Sequence, residues 1–223
     1  MAKRGLPPWM LRLGGVLFIS LPFAGFFTGV YSQPGVKKFA VVAQAVVYVL
    51  FGVTAFQLAK SREQAKAGMQ AMRSMREKLL ATAPGEWGIN PTKEYPRIYG
   101  ILMEFPVKKD TATVWASCLG DASLYTSSAF GVVGGIKHEP VREAAKRFVK
   151  LAETYHEVSA PTADRSYPRG NQVRFYFLTF QGARAIDTDM DSVAQEQNRY
   201  HSLFASGQAV LTELRLIAQK KAP

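Results

Sequence analysis

One cysteine, three histidines and no complete catalytic motif set the first limits on this chain of 223 residues. Cys118 alone cannot close an intramolecular disulfide, which fits a reducing compartment. It falls in the run 111–119, which reads as a strand with apolar neighbours, so an inert buried thiol is expected. His138, His156 and His201 show no metal-ligand spacing, so no zinc site is expected. His138-Glu139 and His156-Glu157 lack the second histidine of H-E-x-x-H, and no serine is framed by G-x-S-x-G. Neither the phosphate-loop pattern G-x-x-x-x-G-K-[ST] nor the dinucleotide pattern G-x-G-x-x-G is met. Asp187, Asp189 and Asp191 alternate like the first ligands of a calcium loop, but no glycine follows and Asn198 stands where the closing Glu belongs. Their expected role is to end a strand and cap the last helix. No cofactor is expected, and nothing in these absences favours an enzyme.

Acidic residues are scarce at one end only. Residues 1–83 carry eleven Lys and Arg against two Asp and Glu, a surplus of nine; the remaining 140 residues carry seventeen against fifteen. A nucleic-acid binder would show the positive excess on its folded domain, so no nucleic-acid partner is expected. The excess flanks two stretches without a single charge, Leu13–Tyr31 and Phe39–Ala59. At about 1.5 Å per residue, each reaches about 30 Å as a helix, the thickness of a hydrocarbon core. Pro34 and Gly35 suit a tight turn between them. The expectation is an N-terminal two-helix transmembrane hairpin (residues 1–59) followed by a soluble α+β domain.

Lys and Arg are denser on both outer flanks than in the turn, although Lys37 and Lys38 oppose the trend. Both termini and the domain are therefore expected in the cytoplasm of an integral membrane protein. A cleaved signal peptide covering the first run also fits basic residues ahead of an apolar stretch. Its apolar part, however, exceeds a usual signal core, and Pro34 follows any small-residue cut site. Gly25 and Gly29 form a G-x-x-x-G pair, and with Gln44 in the second run they are candidates for helix pairing.

From Lys60 to Ala83 the residues are good helix formers, and Ala65, Met69, Met72, Met75 and Leu79 recur at spacings of three and four. This connector (60–83) is expected to lay its stripe on the soluble domain, on the membrane surface or on a second copy or other partner, with Lys60 to Lys78 attracting anionic lipid. Residues 84–223 then read as the α+β domain. The runs 98–107, 111–119, 122–127, 172–180 and 183–187 read as five strands of one mostly antiparallel sheet. Helices are expected from about His138 to Tyr155 and from about Asp191 onward, with a possible break at Gly207. Ser159 to Asn171 is a polar loop. The order is similar to that of profilin-like and longin-type platforms, a likeness of element order alone, which carries no function.

The turn GVVGGIKH is the expected place for a bound anion: Gly131, Gly134 and Gly135 permit close approach, and Lys137 and His138 stand at a helix start. The competing reading is a strand-to-helix turn that needs positive φ. Glu104, alone in an apolar strand, is either a functional buried carboxylate or the mark of a solvent-facing edge. The aromatic run Phe175–Phe180 is read as core. The function expected from these features is non-enzymatic: protein–protein interaction through the domain or the helix, with a protein partner or a homo-oligomer, or an accessory-subunit role. The alternative is a small-ligand sensor or enzyme that uses the turn at 131–138.

Overall fold

The computed structural model describes residues 34–127 and 131–221. Pro34 and Gly35 do not make a turn; they open a helix, α1, Pro34–Ala81. A proline suits the first helical turn because its φ is already helical and its missing N–H would have had no partner there. The second apolar run and the basic connector are therefore one helix. It passes without a break from Phe39–Ala59 into Lys60, Arg62, Glu63 and Lys66.

Among the described residues no helix is long and apolar enough to cross a membrane. This corrects the expected transmembrane hairpin, and the integral-membrane, two-termini-inside placement built on it falls with it. The first run, Leu13–Tyr31, with Gly25 and Gly29, lies outside the described residues. Gln44 lies in α1. Two compact units meet inside this helix, between Arg62 and Glu63. Before that boundary the described chain is α1 alone, and after it comes the α+β unit.

The sheet follows the apolar runs closely. Its strands are β1 Ile98–Val107, β2 Asp110–Ser117, β3 Ala122–Thr126, β4 Gly131–Val132, β5 Ala160–Pro161, β6 Gln172–Thr179 and β7 Gly182–Asp189. They lie in the order β4-β3-β2-β1-β6-β7-β5, with every neighbour antiparallel. Among the described residues the sheet thus has seven strands where five were expected. The two extra ones are two-residue edge pieces, too short to show a period-2 pattern.

β1 is buried from Ile98 to Phe105, as its continuous apolar run implies for a strand covered on both sides. Along it Ile101, Met103 and Phe105 point to one face, and Leu102 and Glu104 to the other. The first face is covered by two helices. α2, Glu139–Ala152, buries Val141, Ala144, Ala145, Phe148, Val149 and Ala152. α4, His201–Lys221, buries Leu203, Phe204, Val210, Leu214 and Ile217.

A one-turn helix, α3 (Met190–Val193), precedes α4 and is capped by Asp189, whose carboxylate accepts from the N–H groups of Asp191 and Ser192. The expected final helix is thus divided before His201, not at Gly207. Gly207 lies inside α4 because a Cβ there would stand 2.5 Å from the Met103 sulfur and 3.0 Å from the Phe148 ring. Close approach to the sheet, not a break, requires that glycine.

Candidate functional site

The second sheet face carries a row of polar side chains that the strand register alone places side by side. Thr113 pairs with Tyr125 and with Glu104, Glu104 with Arg174, and Arg174 with Asp187. Five strands, β3, β2, β1, β6 and β7, thus contribute one residue each to a line across the sheet. Glu104 is 0 % exposed, so a buried carboxylate sits at the centre of the domain. A charge there is costly unless paired and hydrogen-bonded.

The pairing comes from α1. Arg76, 1 % exposed, donates through Nε to Glu104 Oε1 at 2.5 Å and through Nη2 to Oε2 at 2.8 Å. This two-pronged contact matches the guanidinium fork to the carboxylate. Thr113 donates to the same carboxylate at 2.9 Å. The other arm of Arg76 donates to the Arg165 carbonyl at 2.7 Å and to Glu77 at 3.0 Å. Its guanidinium lies 4.1 Å from the Tyr167 ring centroid. Burial works against the charge on Arg76, but the hydrogen-bonded Glu104 outweighs it and the pKa is raised. The Tyr125 hydroxyl, at the end of the row, is buried without a hydrogen-bond partner among the described residues, and burial pushes its pKa up.

A second arginine works one strand over. Arg174 grips Asp187 through Nε and Nη2 at 2.5 and 2.8 Å, and its Nη1 reaches Asp164 at 2.8 Å. Asp164 also accepts from the Ser166 N–H and hydroxyl. These donors, Ser166 first, hold its carboxyl down at about 2. Tyr176 donates to the Ser166 carbonyl at 2.7 Å. The loop 162–170 is therefore pinned to the sheet by Arg76, Arg174 and Tyr176.

Beside this latch a groove of about 420 Å³ opens between the end of α1, the loop and strands β6 and β7. Leu80, Tyr99, Leu178 and Phe180 line it, with Asp164 and Arg165 among its charged residues. Tyr99 and Phe180 pack with ring centroids 5.6 Å apart, and Trp87 meets Tyr99 edge-on at 6.1 Å. Burial pushes the Tyr99 hydroxyl up to about 12.

The residues singled out in the sequence fall elsewhere. Gly131 is in β4 and Gly134 has φ +84. Gly135 starts a three-residue 3-10 turn that ends at Lys137, and His138 caps α2 without a side-chain hydrogen bond. A Cβ at Gly135 would stand 2.5 Å from Val141 and 3.1 Å from Leu214, so close packing accounts for the glycine there. Met69, Met72, Met75 and Leu79 are all half-buried. Leu79 packs against the core, and Met72 lies against Gly131.

Glu104 was visible in the sequence as a lone carboxylate in an apolar strand. Its partner was not, though the signal existed: Arg76 interrupts the stripe between Met72 and Leu79, where a charge needs a reason. Among the described residues no group of three or more His, Cys, Asp or Glu could hold a metal ion. No family model matches the chain, and no curated protein or solved structure does either.

Proposed function

We propose that this is a non-enzymatic, protein-binding α+β protein, with the α1 segment 52–62 as the surface a partner covers. One observation carries the reading. All eleven residues from 52 to 62 are exposed, among them Val53, Phe56 and Leu58, with Phe56 at 71 %. Most helices in proteins draw their stability from burying an apolar face. Val53 and Phe56, three residues apart, share one face of α1 and Leu58 lies on the opposite one, and exposed large apolar side chains of this kind mark interaction sites. Lys60 and Arg62 follow directly, and the segment contains no acidic residue. The complementary surface is an apolar stripe rimmed by carboxylates on another protein. The strongly ionic residues of the sheet face support the same reading from the other side: Arg76 and Arg174 spend their donors on holding the fold together.

A photo-crosslinking side chain at position 56 of the full chain, in cells, tests this against the same group at exposed Lys93. A discrete protein adduct at 56 and none at 93 is the expected result, and Val53→Asp, on the same helix face as 56, abolishes it. An adduct of twice the chain mass assigns the face to a second copy instead. Adducts with anionic lipid alone, or none, overturn the reading.

A further inference from the structure

The groove beside the latch has the size of a small-molecule site, and none of the residues that line it belongs to the segment 52–62. Its volume lies within the range of about 300–1,000 Å³ typical of ligand pockets, which are mostly apolar with a few placed polar groups. Three features narrow the class of ligand. The first is the aromatic and aliphatic wall of Tyr99, Phe180, Leu80 and Leu178, which suits a flat apolar body.

The second is charge. Asp164 lines the groove, but its carboxylate is already engaged by Ser166 and Arg174. Arg165 also lines it, is exposed, and has no ion pair or side-chain hydrogen bond among the described residues. Among the charged residues that line the groove, Arg165 is thus the one without an ionic partner among the described residues.

The third is an acceptor. The Leu80 carbonyl, in the last turn of α1, would receive the N–H of residue 84 in a continuing helix, and residue 84 is proline. Its 3-10 alternative, the Ala83 N–H, is spent on Glu86. That carbonyl, on a residue that lines the groove, is left with no main-chain donor from the helix, so a hydrogen-bond donor on a ligand that reached it would satisfy it.

We propose that this groove binds a small aromatic carboxylic acid, the ring against Tyr99 and Phe180, the carboxylate on Arg165, and a ring N–H or hydroxyl on the Leu80 carbonyl. An amine of the same shape carries the wrong charge for Arg165, and a purely apolar molecule leaves both polar groups unmet.

Calorimetric titration of the full chain with indole-3-acetate and 4-hydroxyphenylacetate, against tryptamine, tyramine and neutral indole, tests the proposal. For the phenolic pair, 4-hydroxyphenylacetate and tyramine, tryptophan fluorescence provides a parallel readout, since Trp87 lies edge-on to Tyr99. The acids are expected to bind at least tenfold more tightly than the matched amines. Arg165→Ala, a surface change, is expected to weaken the acids about tenfold and to leave the amines bound no more weakly than before. Ala183→Phe, which fills the groove, is expected to abolish binding while the unfolding midpoint is retained. Amines binding as tightly as acids would overturn the proposal. So would no binding at millimolar concentration, or acid affinity indifferent to Arg165→Ala.

Discussion

Removing the Arg76 side chain is the sharpest test of how this domain is held together. In Arg76→Ala the Glu104 carboxylate remains in the centre of the sheet, 0 % exposed, with the Thr113 hydroxyl as its remaining side-chain donor. The Arg165 carbonyl loses its donor as well. Leaving one member of a buried pair alone costs about 3–5 kcal/mol, a large part of the roughly 5–15 kcal/mol that keeps a domain folded. With a urea dependence of about 2 kcal/mol per molar, the midpoint should fall by about 2 M. Replacing both partners, Arg76→Met with Glu104→Met, removes the stranded charge and keeps the volume. Such exchanges are often close to neutral, so the double variant is expected within about 2 kcal/mol of the parent despite its lost loop contacts. Urea unfolding followed by circular dichroism reads both numbers. If Arg76→Ala cost under about 1 kcal/mol, or if the double variant were the least stable of the set, the pair would not be what fastens α1 to the sheet.

Four further outcomes follow from the same contacts. Asp164 is held near 2, below its unfolded value near 4, so its contribution is present above pH 4 and is lost as the pH falls through about 2. Pepsin cleavage within 162–170 should therefore rise between pH 4 and 2, and Asp164→Asn should make the loop cleavable across that window. Gly100→Ala would put a Cβ 2.2 Å from the Trp115 ring, and a loss of more than about 2 kcal/mol is expected by denaturant titration. Asp189→Ala removes the cap of α3 and should cost about 1 kcal/mol by the same assay. Cys118 is buried and its pKa is raised by that burial; it should resist thiol reagents in the native protein and react on unfolding.

The strands were legible because their apolar runs are long and their turns carry polar or glycine residues, as at Lys108, Gly120 and Gly182, all at positive φ. The start of α1 was misread because Pro34 serves a turn and a helix N-terminus equally well from sequence alone. Gly207 was misread for a related reason: a glycine in a helix signals either weakness or close packing, and only the position of Met103 decides. The polar row was half legible. Glu104 stood out, but its partners lie 28, 9 and 70 residues away, and no local periodicity carries such distances. The groove was not legible at all, since it is assembled from a helix end, a loop and a hairpin that meet only in the fold.

The central neighbour of β1 is β6, some seventy residues further along the chain. During synthesis the meander of β1, β2 and β3 emerges first and leaves one long, flat, sticky margin of β1 bare until the later hairpin is complete. Distant closures of this kind are slow, and bare margins recruit other chains. A product ending near residue 160 should therefore precipitate, and release of β6 and β7 from the ribosome is the step at which this protein becomes safe from its own copies.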